Sequence, residues 1–100
     1  MEYNYTVYMK IIWDENKNQE NIQKHKISFQ EAETVFYDPN GKIIHDPDHS
    51  DEEDRFIILG LSKLLNLLVV CHCYRENDEI IRIITARKAT KNETKGYGGE

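Results

Sequence analysis

No apolar run in the chain reaches the ~18 residues that a membrane span requires, so its segments read as parts of a globule. The first ten residues, Met1–Lys10, are polar and tyrosine-rich and carry no signal-peptide core, so the expected address is cytoplasmic. Cysteine is scarce, with only Cys71 and Cys73. On a strand their side chains share a face, but their Cα atoms stand about 6.5–7 Å apart, at or beyond the edge of disulfide geometry. Both are expected to be reduced. The same scarcity argues against zinc: in Cys71-His72-Cys73 the histidine points away from both thiols, and no second cysteine pair completes a tetrahedral set. Cys–His catalysis fails for the same reason. There is no G-x-S-x-G, no P-loop and no H-E-x-x-H. Asp46 and Asp48 have D-x-D spacing, but the glycine and glutamate of an EF-hand loop are missing, so neither metal nor cofactor is expected. No repeat and no linker interrupts the chain.

What is present suits a folded domain. The 100 residues make one domain, 1–100, in which 1–11 read as a flexible or extra N-terminal strand, and 39% hydrophobic content argues against disorder. The organising stretch is Leu67–Arg87. Two apolar, β-branched runs, Leu67–Cys73 and Ile80–Thr85, flank a polar break at Glu76–Glu79. Runs of that length bounded by turn residues are buried-strand signals, and Asn77-Asp78 favours a hairpin turn.

The other elements follow in order. Tyr3, Tyr5, Val7, Met9, Ile11 and Trp13 are apolar or aromatic at every second position, the mark of a strand ending near Trp13; Tyr3, Tyr5 and Tyr8 are also candidate interface residues. Asp14 can cap a polar surface helix over Glu15–His25, which ends in Lys24-His25-Lys26, cations where the helix dipole favours them. Ser28-x-x-Glu31 opens a second helix, about Ser28–Tyr37, whose Phe29, Ala32, Val35 and Phe36 form a packing face. Asp38-Pro39-Asn40-Gly41 stops it. Lys42–His45 reads as a short strand, Asp46–Asp54 as a loop, and Arg55–Leu61 as another strand in which Gly60 marks a bulge or close packing. After Arg87, Ala89, Glu93 and Lys95 permit a short helix, and Gly98-Gly99-Glu100 should fray. The order β-α-α-β-β-β-β-α predicts an α+β fold: two N-terminal helices packed on a four- to five-stranded, mainly antiparallel sheet, with a short C-terminal helix.

The net charge of −5 points away from nucleic acid, but its distribution does not. Six acids crowd into Asp46–Asp54; without them the rest of the chain is slightly basic. Residues 82–95 hold Arg82, Arg87, Lys88, Lys91 and Lys95 against Glu93, a local basic field, although ordinary charge asymmetry would look the same. The remaining chemistry is a set of cations, Arg55, Arg75, Arg82, Arg87, Lys24 and His25, with His72, Glu53, Glu93 and Tyr97 as proton carriers. Such a set suits cleavage of RNA without metal. The 2′-hydroxyl attacks the adjacent phosphate, and the protein need only orient the backbone, stabilise charge and move protons.

At these residues the chain resembles the BrnT toxins of bacterial type II toxin–antitoxin systems. The matching pieces are Trp13-Asp14-Glu15-x-Lys17, Asn21-x-x-Lys24-His25, Ser28-Phe29-x-x-Ala32-x-x-Val35-Phe36-x-Asp38-Pro39, Arg55 with Gly60, Leu67-Leu68-Val69-Val70, His72-x-x-Arg75, Arg82-Ile83-Ile84-x-Ala86-Arg87-x-Ala89 and Glu93-x-x-x-Tyr97. They cover about Ile12–Tyr97. Three positions depart from the pattern: Lys26 stands where glycine is usual, Cys73 where threonine is common, and Thr94 where an arginine usually follows the glutamate. The resemblance implies a RelE-like fold and a ribonuclease that arrests translation. It implies a BrnA-like antitoxin too, in a heterotetramer that represses its own promoter DNA.

On that basis Arg55, Arg75, Arg82 and Arg87 are expected to line one end of the sheet, with Arg87 foremost in stabilising phosphate charge and His72 or Glu93 as the base. Lys24, His25, Arg82, Lys88, Lys91 and Tyr97 are expected to bind RNA. Arg82, between Ile81 and Ile83, reads equally as half of a structural ion pair. The alternative to an enzyme is a catalytically weak or inactive toxin homologue that binds its antitoxin in promoter control.

Overall fold

The central hairpin runs further than its apolar residues suggest. The structure, a computed structural model, describes residues 9–49 and 53–97. Within it β4 spans Leu67–Arg75 and β5 spans Ile80–Lys88. Backbone pairing is indifferent to side-chain polarity, so the ladder continues through Arg75↔Ile80 at one end and Leu68↔Lys88 at the other. The turn between them holds Glu76, Asn77 and Asp78 at φ of 55°, 57° and 67°. Asn and Asp tolerate that left-handed region better than other residues.

β3 (Phe56–Leu61) pairs antiparallel with β4, and the edge strand β2 (Lys42–His45) pairs antiparallel with β3. β1 (Lys10–Ile12) closes the other edge by lying parallel to the start of β5, so the five-stranded sheet is mixed, with order β1-β5-β4-β3-β2. That parallel pair joins the first strand to the last. The expected earlier start of β1, at Tyr3, lies outside the described residues, as do Tyr5, Tyr8, Asp51, Glu52 and the Gly98-Gly99-Glu100 tail.

Helix α1 covers Glu15–His25, as its caps dictate: Asp14 Oδ1 accepts from the N–H of Asn16 at 2.8 Å and of Lys17 at 3.2 Å. Lys26 ends it in the left-handed region, φ 64°, with its N–H donating to the Ile22 carbonyl. Helix α2 is shorter than expected, Phe29–Val35, because Phe36, Tyr37 and Asp38 tighten into bonds to the carbonyls three residues back, ahead of Pro39. Helix α3 is one turn, Lys91–Thr94, closed by a full capping box between Thr90 and Glu93. No described helix is long and apolar enough to cross a membrane.

Helices α1 and α2 lie on one face of the sheet. Ile27, Phe29, Ala32 and Val35 are buried against Ile58, Leu68, Val70, Ile81, Ile83 and Ala86. Gly60 permits the close approach of α2: a Cβ there would meet Val35 Cγ1 at 2.7 Å. Asn21 ties α1 to the edge of β5 beyond the reach of β1. Its Nδ2 donates to the carbonyls of Ala86 at 2.8 Å and Ile27 at 2.9 Å, and its Oδ1 accepts from Ala86 N–H at 3.1 Å. A side-chain amide thus takes the place of a missing strand.

Candidate functional site

The sheet face away from α1 and α2 collects the arginines. Residues at alternate positions share a face, so Arg55 and Ile57 of the β3 segment lie with Val69, Cys71, Cys73 and Arg75 of β4. In β5 a β-bulge between Cys71 and His72 of the partner strand leaves Ile84 as the extra residue. Arg82, opposite Cys73, and Arg87, opposite Val69, are five residues apart, and a regular strand would put them on opposite faces. The bulge returns both to the open face.

At one end of this face Glu53 lies between two guanidiniums. Its Oε1 stands 3.0 Å from an Arg75 terminal nitrogen and its Oε2 stands 3.6 Å from Arg55 Nε, with side-chain exposures of 32% for Glu53 and 43% and 35% for the arginines. Arg82 is half-buried beside them, and among the described residues it makes no ion pair. Towards the other end Arg87 is held by Glu93 through two parallel bonds, 2.8 and 2.9 Å, and it also donates to the Lys88 carbonyl at 3.2 Å. The Arg87 bonds, helped by the Thr90 N–H and against the effect of burial, hold the Glu93 carboxyl down at about 2. The same pairing raises Arg87 above its ordinary range. Between the two ends lies a groove of about 210 Å³ with Arg55 and Arg87 on its rim.

His72 does not join this set. It is wholly buried on the helix-bearing face, with its ring edge-on to Phe36 at 4.8 Å. Nδ1 lies 3.1 Å from the Val70 carbonyl, which can only accept, so Nδ1 carries the proton and Nε2 accepts from the Tyr74 hydroxyl at 3.2 Å. Burial drives its pKa down to about 4. The sheet separates it from every open-face arginine, which removes it as the expected base. Glu93 fails in that role for a different reason: a carboxylate held near 2 has little affinity for a proton.

The expected RNA-binding residues scatter. Lys24 and His25 end α1 one turn beyond Asn21, on the helix-bearing side of the β5 edge. Lys88 closes β5 and Lys91 opens α3, both exposed. None of the four lines the groove. Tyr97 is tied down, its hydroxyl donating to Asp38 Oδ2 at 2.5 Å. That carboxylate also accepts from Leu61 N–H at 2.7 Å and Asn40 N–H at 2.9 Å. Burial opposes ionisation of Asp38, but these bonds outweigh it and lower its pKa, while raising that of Tyr97. Tyr97 therefore fastens the C-terminal segment to the α2 end.

The sequence pointed to Glu53 only as a generic proton carrier, to Asp46 only through its D-x-D spacing with Asp48, and not at all to Thr85; Asp46 and Thr85 line the groove. Glu53 stands at a bend ahead of the strand, so strand alternation gave no signal for it. Among the described residues no group of three or more His, Cys, Asp or Glu side chains is placed to hold a metal, and both thiols are free.

Residues 13–93 match the family model of the ribonuclease toxin BrnT of type II toxin–antitoxin systems. Among solved structures the chain is similar to the Brucella abortus ribonuclease toxin BrnT, known from a 1.1 Å crystal structure. The two share 29% identity over 83% of this chain and 99% of that one, with a TM-score of 0.63. A search of curated proteins found no match.

Proposed function

The chain belongs to the BrnT family of ribonuclease toxins of type II toxin–antitoxin systems, and from that premise we propose that it is a RelE-like endoribonuclease that cleaves RNA without a metal ion and thereby arrests translation. The observation that carries the reading is Glu53 held between Arg55 and Arg75 on the face that also bears Arg82 and Arg87. The reaction needs a charge stabiliser and a proton acceptor in one place. The Arg87–Glu93 end supplies the first but not the second, because both oxygens of its carboxylate are taken up by Arg87, whereas Glu53 accepts from Arg75 through Oε1 alone and its Oε2 stands 3.6 Å from Arg55 Nε. The scissile phosphate therefore sits at the Arg55–Glu53–Arg75 end.

There Arg55 and Arg75 bind the non-bridging oxygens, and Glu53 takes the 2′-hydroxyl proton as that oxygen attacks phosphorus. The P–O5′ bond breaks, leaving a 2′,3′-cyclic phosphate and a 5′-hydroxyl that picks up a proton. Arg87, oriented by Glu93, holds a neighbouring phosphate, and Arg82 adds to the field. Lys88 and Lys91 extend the basic margin along the strand end and α3.

Membership of a type II system implies an antitoxin partner. In this reading it is a BrnA-like protein that covers the open face and forms a heterotetramer with the toxin on promoter DNA. Expression of the chain alone should stop growth in a bacterial host, co-expression of the neighbouring gene's product should restore it, and Arg75→Ala should not arrest growth. Undiminished toxicity of Arg75→Ala would remove the proposed centre. Absence of toxicity with antitoxin binding intact would instead favour a binding module without catalysis.

A further inference from the structure

We propose that the turn between β3 and β4 is a docking surface for the antitoxin, and that it receives an acidic, amphipathic segment of that protein. The proposal rests on the antitoxin partner of the proposed function and adds where it is held. Leu64 and Leu65, at the tip of the turn, are 68% and 77% exposed. Leu65 also sits in the left-handed region, φ 67°, which disfavours a leucine and suits glycine or asparagine. Neither burial nor backbone preference accounts for two leucines there. The turn is nevertheless tightly fixed. Ser62 N–H donates to the Asn66 carbonyl at 2.8 Å, and Leu65 N–H to the Ser62 carbonyl at 2.9 Å. Ser62 Oγ accepts from the N–H groups of Leu64 and Asn66, each at 3.2 Å. Helix α2 supports it from below: the Glu31 carboxylate accepts from Ser62 Oγ at 2.6 Å and Asn66 Nδ2 at 2.8 Å, and Thr34 Oγ1 accepts from Lys63 N–H at 2.9 Å. Strain over-determined in this way collects at binding sites. Apolar side chains presented on a rigid turn also lose little freedom when a partner covers them.

The surroundings say what kind of segment fits. The base of the turn, Leu61, Ser62 and Lys63, forms one wall of a hollow of about 470 Å³, with Thr34, Tyr37 and Asp38 opposite. Tyr37 is exposed. The Asp38 carboxylate is already taken up by Tyr97, Leu61 and Asn40, and that of Glu31 by the turn itself. Lys63 is exposed and makes no ion pair among the described residues. Lys95, also exposed, lies two residues before Tyr97 in the segment fastened to Asp38. Two leucines and a hollow of side-chain size, flanked by cations whose neighbouring carboxylates are occupied, match aliphatic side chains flanked by acids. The hollow favours a protein segment over a bilayer, which has no side chain to fill it. The turn stands at the far end of β3 from Arg55 and of β4 from Arg75, about 25 Å along the strand. Docking there is therefore separate from the cationic centre.

The test is calorimetric titration of the full chain with the purified product of the neighbouring gene. Leu64→Ser and Leu65→Asn should each weaken the complex at least tenfold, and Lys63→Glu should weaken it several-fold. Leu65→Asn relieves the left-handed leucine and should raise Tm, so its loss of affinity cannot come from misfolding. Unchanged affinity in both leucine variants would overturn the docking surface while leaving the antitoxin partner in place. Failure of the wild type to bind the product would overturn both. Two other occupants are read with the same proteins: adsorption to phosphatidylglycerol vesicles, and concentration-dependent dimerisation in sedimentation. If the leucine variants lose either one while keeping their affinity for the antitoxin, the turn belongs to a bilayer or to a second copy of this chain, and the proposal falls.

Discussion

Acidification should destabilise this protein through one buried histidine. His72 is wholly buried, its ring packed against Phe36, and its pKa falls from 6.5 to about 4. The folded pKa lies below the unfolded one, so between the two the unfolded chain binds the proton and the folded chain does not. Stability from this group is therefore complete above about pH 6.5, falls as pH drops towards 4, and is flat below. The full shift corresponds to about 3 kcal/mol, and roughly 2 kcal/mol of it is lost by pH 5. For a domain of this size that lowers Tm by roughly 10 °C. The assay is urea unfolding at pH 7.5 and pH 5 for the wild type and His72→Phe. Carboxylates also titrate on the way down, and the variant subtracts them. The wild type should lose about 2 kcal/mol more than His72→Phe over that interval. Equal losses would refute the argument that His72 is held neutral by burial.

Two further substitutions probe the supports of the site. Asn21→Ala removes three bonds to buried backbone groups, leaving the Ala86 edge of β5 unsatisfied; it should cost about 3 kcal/mol in urea unfolding. Lys26→Gly relieves a left-handed residue at the end of α1, φ 64°, and should raise stability by up to about 1 kcal/mol, read as an increase in Tm.

The elements were legible where local chemistry decides them. Asp14 and the basic run at Lys24–Lys26 fixed α1 at both ends, and the break at Glu76–Glu79 fixed the hairpin. The usual glycine at the position of Lys26 has a physical reason in that residue's positive φ. Ser28-x-x-Glu31 was only half a capping box: Ser28 Oγ accepts from Glu31 N–H at 3.0 Å, but the Glu31 carboxylate turns away to Ser62 at 2.6 Å and Asn66 at 2.8 Å. The full box, Thr90-x-x-Glu93, was in the sequence by the same rule. The parallel pairing of β1 with β5 was not legible, because it joins segments some seventy residues apart and no local pattern encodes it.

The site was partly legible for the same reasons. That arginines gather was readable from their number, but which face each takes was not. Both faces of β4 are apolar at Leu67–Val70, so alternation gave no sign that His72 turns inward. The bulge beside Ile84, which puts Arg82 and Arg87 together, depends on the partner strand. The roles of Glu93 and Tyr97 as ties rather than reactants emerge only from their partners, Arg87 and Asp38.

The most direct test of the account is cleavage of a structureless RNA by the purified chain in EDTA, beside Glu53→Gln and His72→Phe. The account predicts 2′,3′-cyclic phosphate ends from the wild type and from His72→Phe, with kcat lowered at least a hundredfold in Glu53→Gln. Full activity in Glu53→Gln, or its loss in a folded His72→Phe, would contradict it.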